Sequence, residues 1–152
     1  MTPTHEISLR PAMSFAFLKI LPLILLSLLF LLLAWYLSPY FVLFSLGVLS
    51  VAWYRLLYIR SNTYLITPEV LRVTRGIFFK RTDQLEMFRI KDYIITQSFL
   101  LQVFRLMTLT LKSTDPENPV ISLLGIPESD ILDTIRDHVQ EARKDNHIYE
   151  IN

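Results

Sequence analysis

Residues 20–54 read ILPLILLSLLFLLLAWYLSPYFVLFSLGVLSVAWY, 35 positions without a charged side chain. A hydrocarbon layer about 30 Å thick is crossed by roughly 20 apolar residues in helical form, so one straight span would overshoot it by about half. Ser38-Pro39 interrupts the run near its middle, and proline lacks the N–H that a continuing helix needs. The stretch predicts two helices, over 15–37 and 40–57, folded back on each other at that dipeptide. A helical pair buried in a soluble bundle would carry a polar stripe, and none is present here.

Working outward, Trp35, Tyr36 and Tyr40 gather at the turn and Trp53, Tyr54 and Tyr58 at the opposite end, as aromatic side chains do at the two membrane surfaces. Lys19 lies one turn inside the first helix, from where its long stem can return the ammonium to the headgroups. Pro22 is tolerated in a membrane helix because local adjustment re-satisfies the freed carbonyl. A cleaved secretory signal would have a shorter apolar core and a small-residue cleavage site, whereas this run ends in Tyr54-Arg55. The connecting turn lacks Lys and Arg, while Arg10, Lys19, Arg55 and Arg60 flank the pair. The positive-inside rule then predicts a multi-pass cell-membrane protein with both termini cytoplasmic. No Asp, Glu or His lies within the spans, so a proton relay would have no titratable group, and the hairpin reads as an anchor. Ser27, Ser45 and Gly47 are small enough to permit close helix approach.

The formal charge of +1 conceals a gradient: residues 1–60 carry +3, residues 61–105 again +3, and residues 106–152 carry −5. The basic part is next to the membrane and the acidic end is remote from it. Cysteine is absent, which excludes disulfides, thiolate nucleophiles and cysteine-bound zinc. Three units follow: residues 1–60 as N-terminal tail and hairpin, 61–146 as a small cytoplasmic domain, and 147–152 as a frayed tail.

After Arg60 the pattern shifts to short β-rich segments between turn signals. Strands are predicted at 64–66, 70–74, 77–81, 84–88, 93–97, 107–112 and 120–124, with a helical turn over 98–104 capped by Ser98. Residues 129–144 have helical spacing, with Ile131, Leu132, Ile135, Val139 and Ala142 on one face. Asp130 and Asp133 load its first turn and Arg143 and Lys144 its last, complementing the helix dipole. The class is α+β: a two-helix transmembrane hairpin plus a β-barrel or sandwich of about seven strands, capped by a C-terminal helix.

That element order, with the block YLITPEVLRVTRGIFFKR at 64–81 and Gln97-Ser98-Phe99-Leu100, resembles the bacterial membrane-anchored PH domain proteins of the bPH2 group over roughly residues 15–143. Where many of those relatives have a glycine before the sixth strand, this chain reads Val103-Phe104-Arg105-Leu106. The resemblance implies a PH-like scaffold without known catalytic residues. By analogy with eukaryotic PH domains, it also implies that the first hairpin is a place for anionic headgroups.

Arg72, Arg75, Lys80 and Arg81 cluster on that hairpin, with Phe78 beside them. They are the candidate lipid- or partner-binding residues, although Glu69 and Asp83 dilute their charge and outward strand positions alone would account for them. Phe78, Phe79, Phe88, Phe99 and Phe104 are expected in the core or at the rim, with one of the adjacent pair Phe78 and Phe79 pointing out. No phosphate-cradling glycine loop and no combination of nucleophile, base and oxyanion motif is present, so no catalytic residue is assigned. His138 follows Asp137, but adjacent helical residues do not face each other. Asp133, Asp137 and Glu141 share a helix face, yet one helix makes a poor cation cage; no metal and no cofactor is expected. The chain lacks a nucleic-acid reader motif, so nucleic acid is not an expected partner.

The leading expectation is a non-enzymatic, membrane-anchored PH-like interaction or scaffold module, whose partners are the lipid bilayer and either another protein or a second copy. A sheet edge could take up a strand from a peptide partner. A sensor of anionic lipid headgroups is the alternative, and an enzyme with an unrecognised site the third.

Overall fold

The computed structural model describes residues 6–146. Helices α1 (Met13–Tyr36) and α2 (Phe41–Ser61) form the hairpin, and both are long and apolar enough to cross a membrane. Their outer faces expose Leu25, Leu32, Leu43 and Leu46, side chains that water would solvate poorly and acyl chains well. Between the helices Ser27 and Ser45 are buried together: their hydroxyls lie 2.9 Å apart, and Ser45 Oγ donates to the Ser27 carbonyl at 3.0 Å. Interhelical bonds of this kind contribute about 0.6 kcal/mol each in a bilayer. Of the three small residues singled out from the sequence, Gly47 takes no part in this contact and faces open space.

Seven antiparallel strands follow the α+β expectation and lie in two sheets. The first sheet has the order β1 (Ile7–Leu9), β2 (Thr63–Ile66), β3 (Val70–Arg75), β4 (Arg81–Glu86). The second has the order β5 (Ile90–Thr96), β6 (Leu106–Ser113), β7 (Val120–Pro127). A short helix α3 (Phe99–Val103) joins β5 to β6, and α4 (Ile131–Asp145) ends the described chain. Strand alternation sends Leu71 and Val73 inward and Arg72 outward. With Ile66 and Leu85 they meet Leu109, Leu111, Leu123 and Ile126 of the other sheet, and α4 covers them with Ile131, Ile135 and Val139. Arg143 ties the far end of α4 down by donating to the Ile90 carbonyl at 2.7 Å.

Three sequence-based expectations change in detail. The two strands expected at 77–81 and 84–88 are one strand, β4, because Gly76 takes φ +107° and diverts the chain into a turn before Arg81. The seventh strand is instead β1, drawn from the segment expected to be an N-terminal tail. The two sheets do not close into a barrel. The tail expected at 147–152 lies outside the described residues.

β1 pairs directly with β2, Ile7 opposite Ile66 and Leu9 opposite Tyr64, so the whole helical hairpin is inserted between two neighbouring strands. Only residues 10–12 separate β1 from α1, and Asn62 alone separates α2 from β2. Further bonds fix these junctions: the Ala12 N–H donates to the Gly125 carbonyl at 2.8 Å, and Arg60 donates to the Pro11 carbonyl at 3.3 Å. The ring of buried Phe15 lies against Gly125. The domain is thus seated at the foot of the helices rather than tethered to them.

Tyr64 belongs to the same junction, its buried hydroxyl accepting the Leu124 N–H at 3.1 Å. Burial pushes its phenol above the ordinary 10.0, with the Leu124 bond and the Arg75 charge pulling the other way. The folded chain holds this proton more tightly than the unfolded chain. The associated stability is therefore complete below pH about 10 and lost as pH rises through the folded value. Tyr64→Phe is expected to flatten that alkaline loss while lowering stability at neutral pH by about 1 kcal/mol for the missing bond. Alkaline and neutral denaturation followed by circular dichroism read the two effects separately.

Candidate lipid and partner site

The β3–β4 hairpin carries the five candidate residues. Arg75 and Arg81 face each other across the strands, an arrangement that repels unless a third charge answers it. Asp83 supplies that charge, its Oδ1 accepting from Arg81 Nε at 2.8 Å. Arg75, Arg81 and Asp83 line a hollow of about 380 Å³ with Phe79, Val120 and Tyr58, the last belonging to the foot of α2. Lys80 and Phe78 project from the turn. Arg72 is not part of this group. It sits on the other face opposite Gln84, and with the Gln84 amide oxygen turned toward it, Arg72 Nε and Nη2 lie 2.9 and 3.1 Å away.

Phe78 and Phe79 are 83% and 94% exposed, so both point outward instead of one. Phe99 and Phe104 are exposed too, and Phe88 is half-buried under the Arg89 guanidinium. Of the two places expected for these phenylalanines, core or rim, none is in the core, which aliphatic residues, Met87, Met107 and Tyr64 fill. Period-2 reasoning assumes that apolar side chains turn toward protein, and these turn away from it.

Helix α3 repeats the pattern. It was legible as a helical turn, but none of its residues is buried, and its apolar side chains face out beside the foot of α1. Arg105 ends it with φ +51°. A left-handed non-glycine residue costs about 1–2 kcal/mol. The sequence signal available for this surface was the pairing of Phe99 and Leu100 with Val103 and Phe104, four apolar positions on a helix too short to need them for a core.

On α4, Asp133, Asp137 and Glu141 stand exposed. Among the described residues no group of three His, Cys, Asp or Glu side chains is placed to hold a metal ion. His138 is half-buried with Nδ1 shielded from solvent, while Asp137 beside it faces outward. In the second sheet the outer edge of β5 pairs with no strand among the described residues, and it exposes Ile94 and Ile95.

The profile of one protein family, described as bacterial PH domain, matches residues 14–143, from the first turn of α1 to the last turn of α4. No curated protein and no solved structure matches the chain.

Proposed function

The chain belongs to the bacterial PH domain family, and from that premise we propose that it is a non-enzymatic interaction or scaffold module, anchored in the cell membrane with its PH-like domain on the cytoplasmic side. The observation that carries this reading is the insertion of the hairpin between β1 and β2. It fixes the orientation of the domain relative to the two apolar helices and leaves the β5 edge, with Ile94 and Ile95, open to a strand from a protein partner or a second copy. The cytoplasmic assignment rests on the basic flanks and the uncharged turn at Ser38-Pro39.

The absence of cysteine makes the test direct. In intact cells, Ser38→Cys is expected to react with a membrane-impermeant maleimide and Lys112→Cys only after lysis; the reverse pattern overturns the topology. A photoreactive residue at position 95 should then cross-link to a protein that a probe at exposed Gln140 does not reach. Equal products at both positions would remove β5 as the docking edge.

A second reading is favoured by the hollow shared by Tyr58, Arg75 and Arg81, which places the hairpin tip beside the foot of α2. We assign Arg75, Lys80 and Arg81, with Phe78, to anionic headgroups, each cation contributing about 1 kcal/mol near such a surface. Arg72 is left out because its partner is Gln84. Replacing the three by Gln in the full chain should abolish enrichment of phosphatidylglycerol among co-purifying lipids, and unchanged enrichment rejects this reading.

A further inference from the structure

Helix α3 is built in the wrong sense for a protein in water. Phe99, Leu100, Val103 and Phe104 occupy one side of it at i, i+1, i+4 and i+5, and they are 78%, 53%, 62% and 49% exposed. The helix is not loosely attached. Gln97 Nε2 donates to the Leu106 carbonyl at 3.2 Å, the Arg105 N–H donates to the Gln102 carbonyl at 3.0 Å, and the Glu128 N–H donates to the Arg105 carbonyl at 2.9 Å. The apolar side is therefore held out by bonds at both ends of the helix.

What it is held against is α1. Leu100, Leu101 and Ser98 share a groove of about 140 Å³ with Phe15, Leu18 and Lys19. Phe104 shares a larger one, about 440 Å³, with Met13, Phe17, Leu21 and Ile24. Met13, Phe17 and Leu21 are outward residues of α1, the side that acyl chains would cover. The exposed face of α3 is thus continuous with the lipid-facing surface of the hairpin. Two cations frame it. Lys19 Nζ lies over the Phe15 ring at 5.6 Å, and the exposed Arg105 has no hydrogen bond or ion pair to its guanidinium among the described residues. An apolar helical face edged by Lys and Arg is the composition of a segment lying at the boundary of headgroups and acyl chains.

We propose that α3 is an interfacial membrane segment: Phe99, Leu100, Val103 and Phe104 enter the acyl boundary of the bilayer that α1 and α2 cross, and Arg105 and Lys19 engage lipid phosphates above them. The proposal rests on the reading of α1 and α2 as membrane spans. It accounts for the left-handed Arg105, since a glycine there would relieve the backbone and forfeit the phosphate contact. A soluble protein partner fits less well, because one wall of each groove is the membrane helix itself.

The test uses the full chain, free of native cysteine, in vesicles of phosphatidylethanolamine and phosphatidylglycerol. Nitroxide labels are placed singly at Leu100→Cys, Val103→Cys, Lys112→Cys and Leu46→Cys. Labels at 100, 103 and 46 are expected to collide more with dissolved oxygen than with a water-soluble nickel chelate, with the order reversed at 112. If 46 reads lipid while 100 and 103 read water like 112, the hairpin spans and the proposal is overturned. If 46 also reads water, the spanning reading itself falls, and the proposal falls with it.

Discussion

Replacing Gly125 by alanine is expected to destabilise the full chain by about 3 kcal/mol, read as a lowered thermal midpoint in detergent. Two costs combine. Gly125 has φ +61°, where an L side chain crowds its own backbone, and a Cβ there would lie 2.1 Å from Cγ of Phe15 and 2.5 Å from its Cδ1. This residue is the point at which β7 meets α1, so the added methyl pushes the domain off the helix. The obstacle is a side chain, and that makes the cause separable. Phe15→Ala alone leaves a cavity and destabilises as well, yet the double variant should lose about 2 kcal/mol less than the sum of the singles, because the collision has gone and only the backbone cost remains. Strictly additive losses would show that Phe15 and Gly125 do not press on one another.

Gly76→Ala should also destabilise, by at least about 2 kcal/mol, and should resist every rescue of that kind. Its φ is +107°, and a Cβ would come to 2.0 Å from the carbonyl oxygen of Phe79 and 3.1 Å from the carbonyl carbon. Those are backbone atoms. Truncating Phe79 to alanine removes nothing from the path, so the two substitutions are expected to be additive within about 0.5 kcal/mol. The turn must rebuild instead, and with it the facing of Arg75 and Arg81 across the hairpin. Faster amide exchange at Thr74 and Thr82, partners at the base of that turn, would report the rebuilding. A rescue by Phe79→Ala would mean that the turn already has another conformation.

The hairpin was legible because 35 uncharged positions broken at Ser38-Pro39 read as two apolar helices, and α4 because Ile131, Ile135 and Val139 recur at helical spacing with charges matched to the dipole. β3 and β6 were found near their observed limits, since alternation and bounding turns mark strands with one buried face, whereas β7 runs through Pro127, three residues past the end expected at 124. β1 left no such mark. Ile7-Ser8-Leu9 is too short to show a period, and its partner β2 lies beyond both helices, a contact that local reading cannot reach. The merging of two expected strands into β4 has a different origin: Ile77, Phe78 and Phe79 look like strand residues by composition, and only the conformation of Gly76 reveals a turn. Within the candidate site, the grouping of Arg75 with Arg81 follows from hairpin register. The separation of Arg72 follows from the single residue of parity between it and its neighbours.

The pairing of β1 with β2 also constrains how the protein can be made. A ribosome releases β1 before either helix, and the strand it needs arrives only after both have been synthesised. In a nascent chain that has passed one helix across the bilayer and not the other, the two strands are stranded on opposite faces and the first sheet cannot assemble. With α1 and α2 read as spans, as proposed, sheet closure is a parity check on insertion, satisfied only when the crossings are even in number. A chain that fails it keeps an unpaired β2 edge and an orphaned β1, the kind of exposed backbone that invites aggregation. On the membrane-spanning reading proposed above, correct topology and a finished β-sheet become a single event in the biogenesis of this protein.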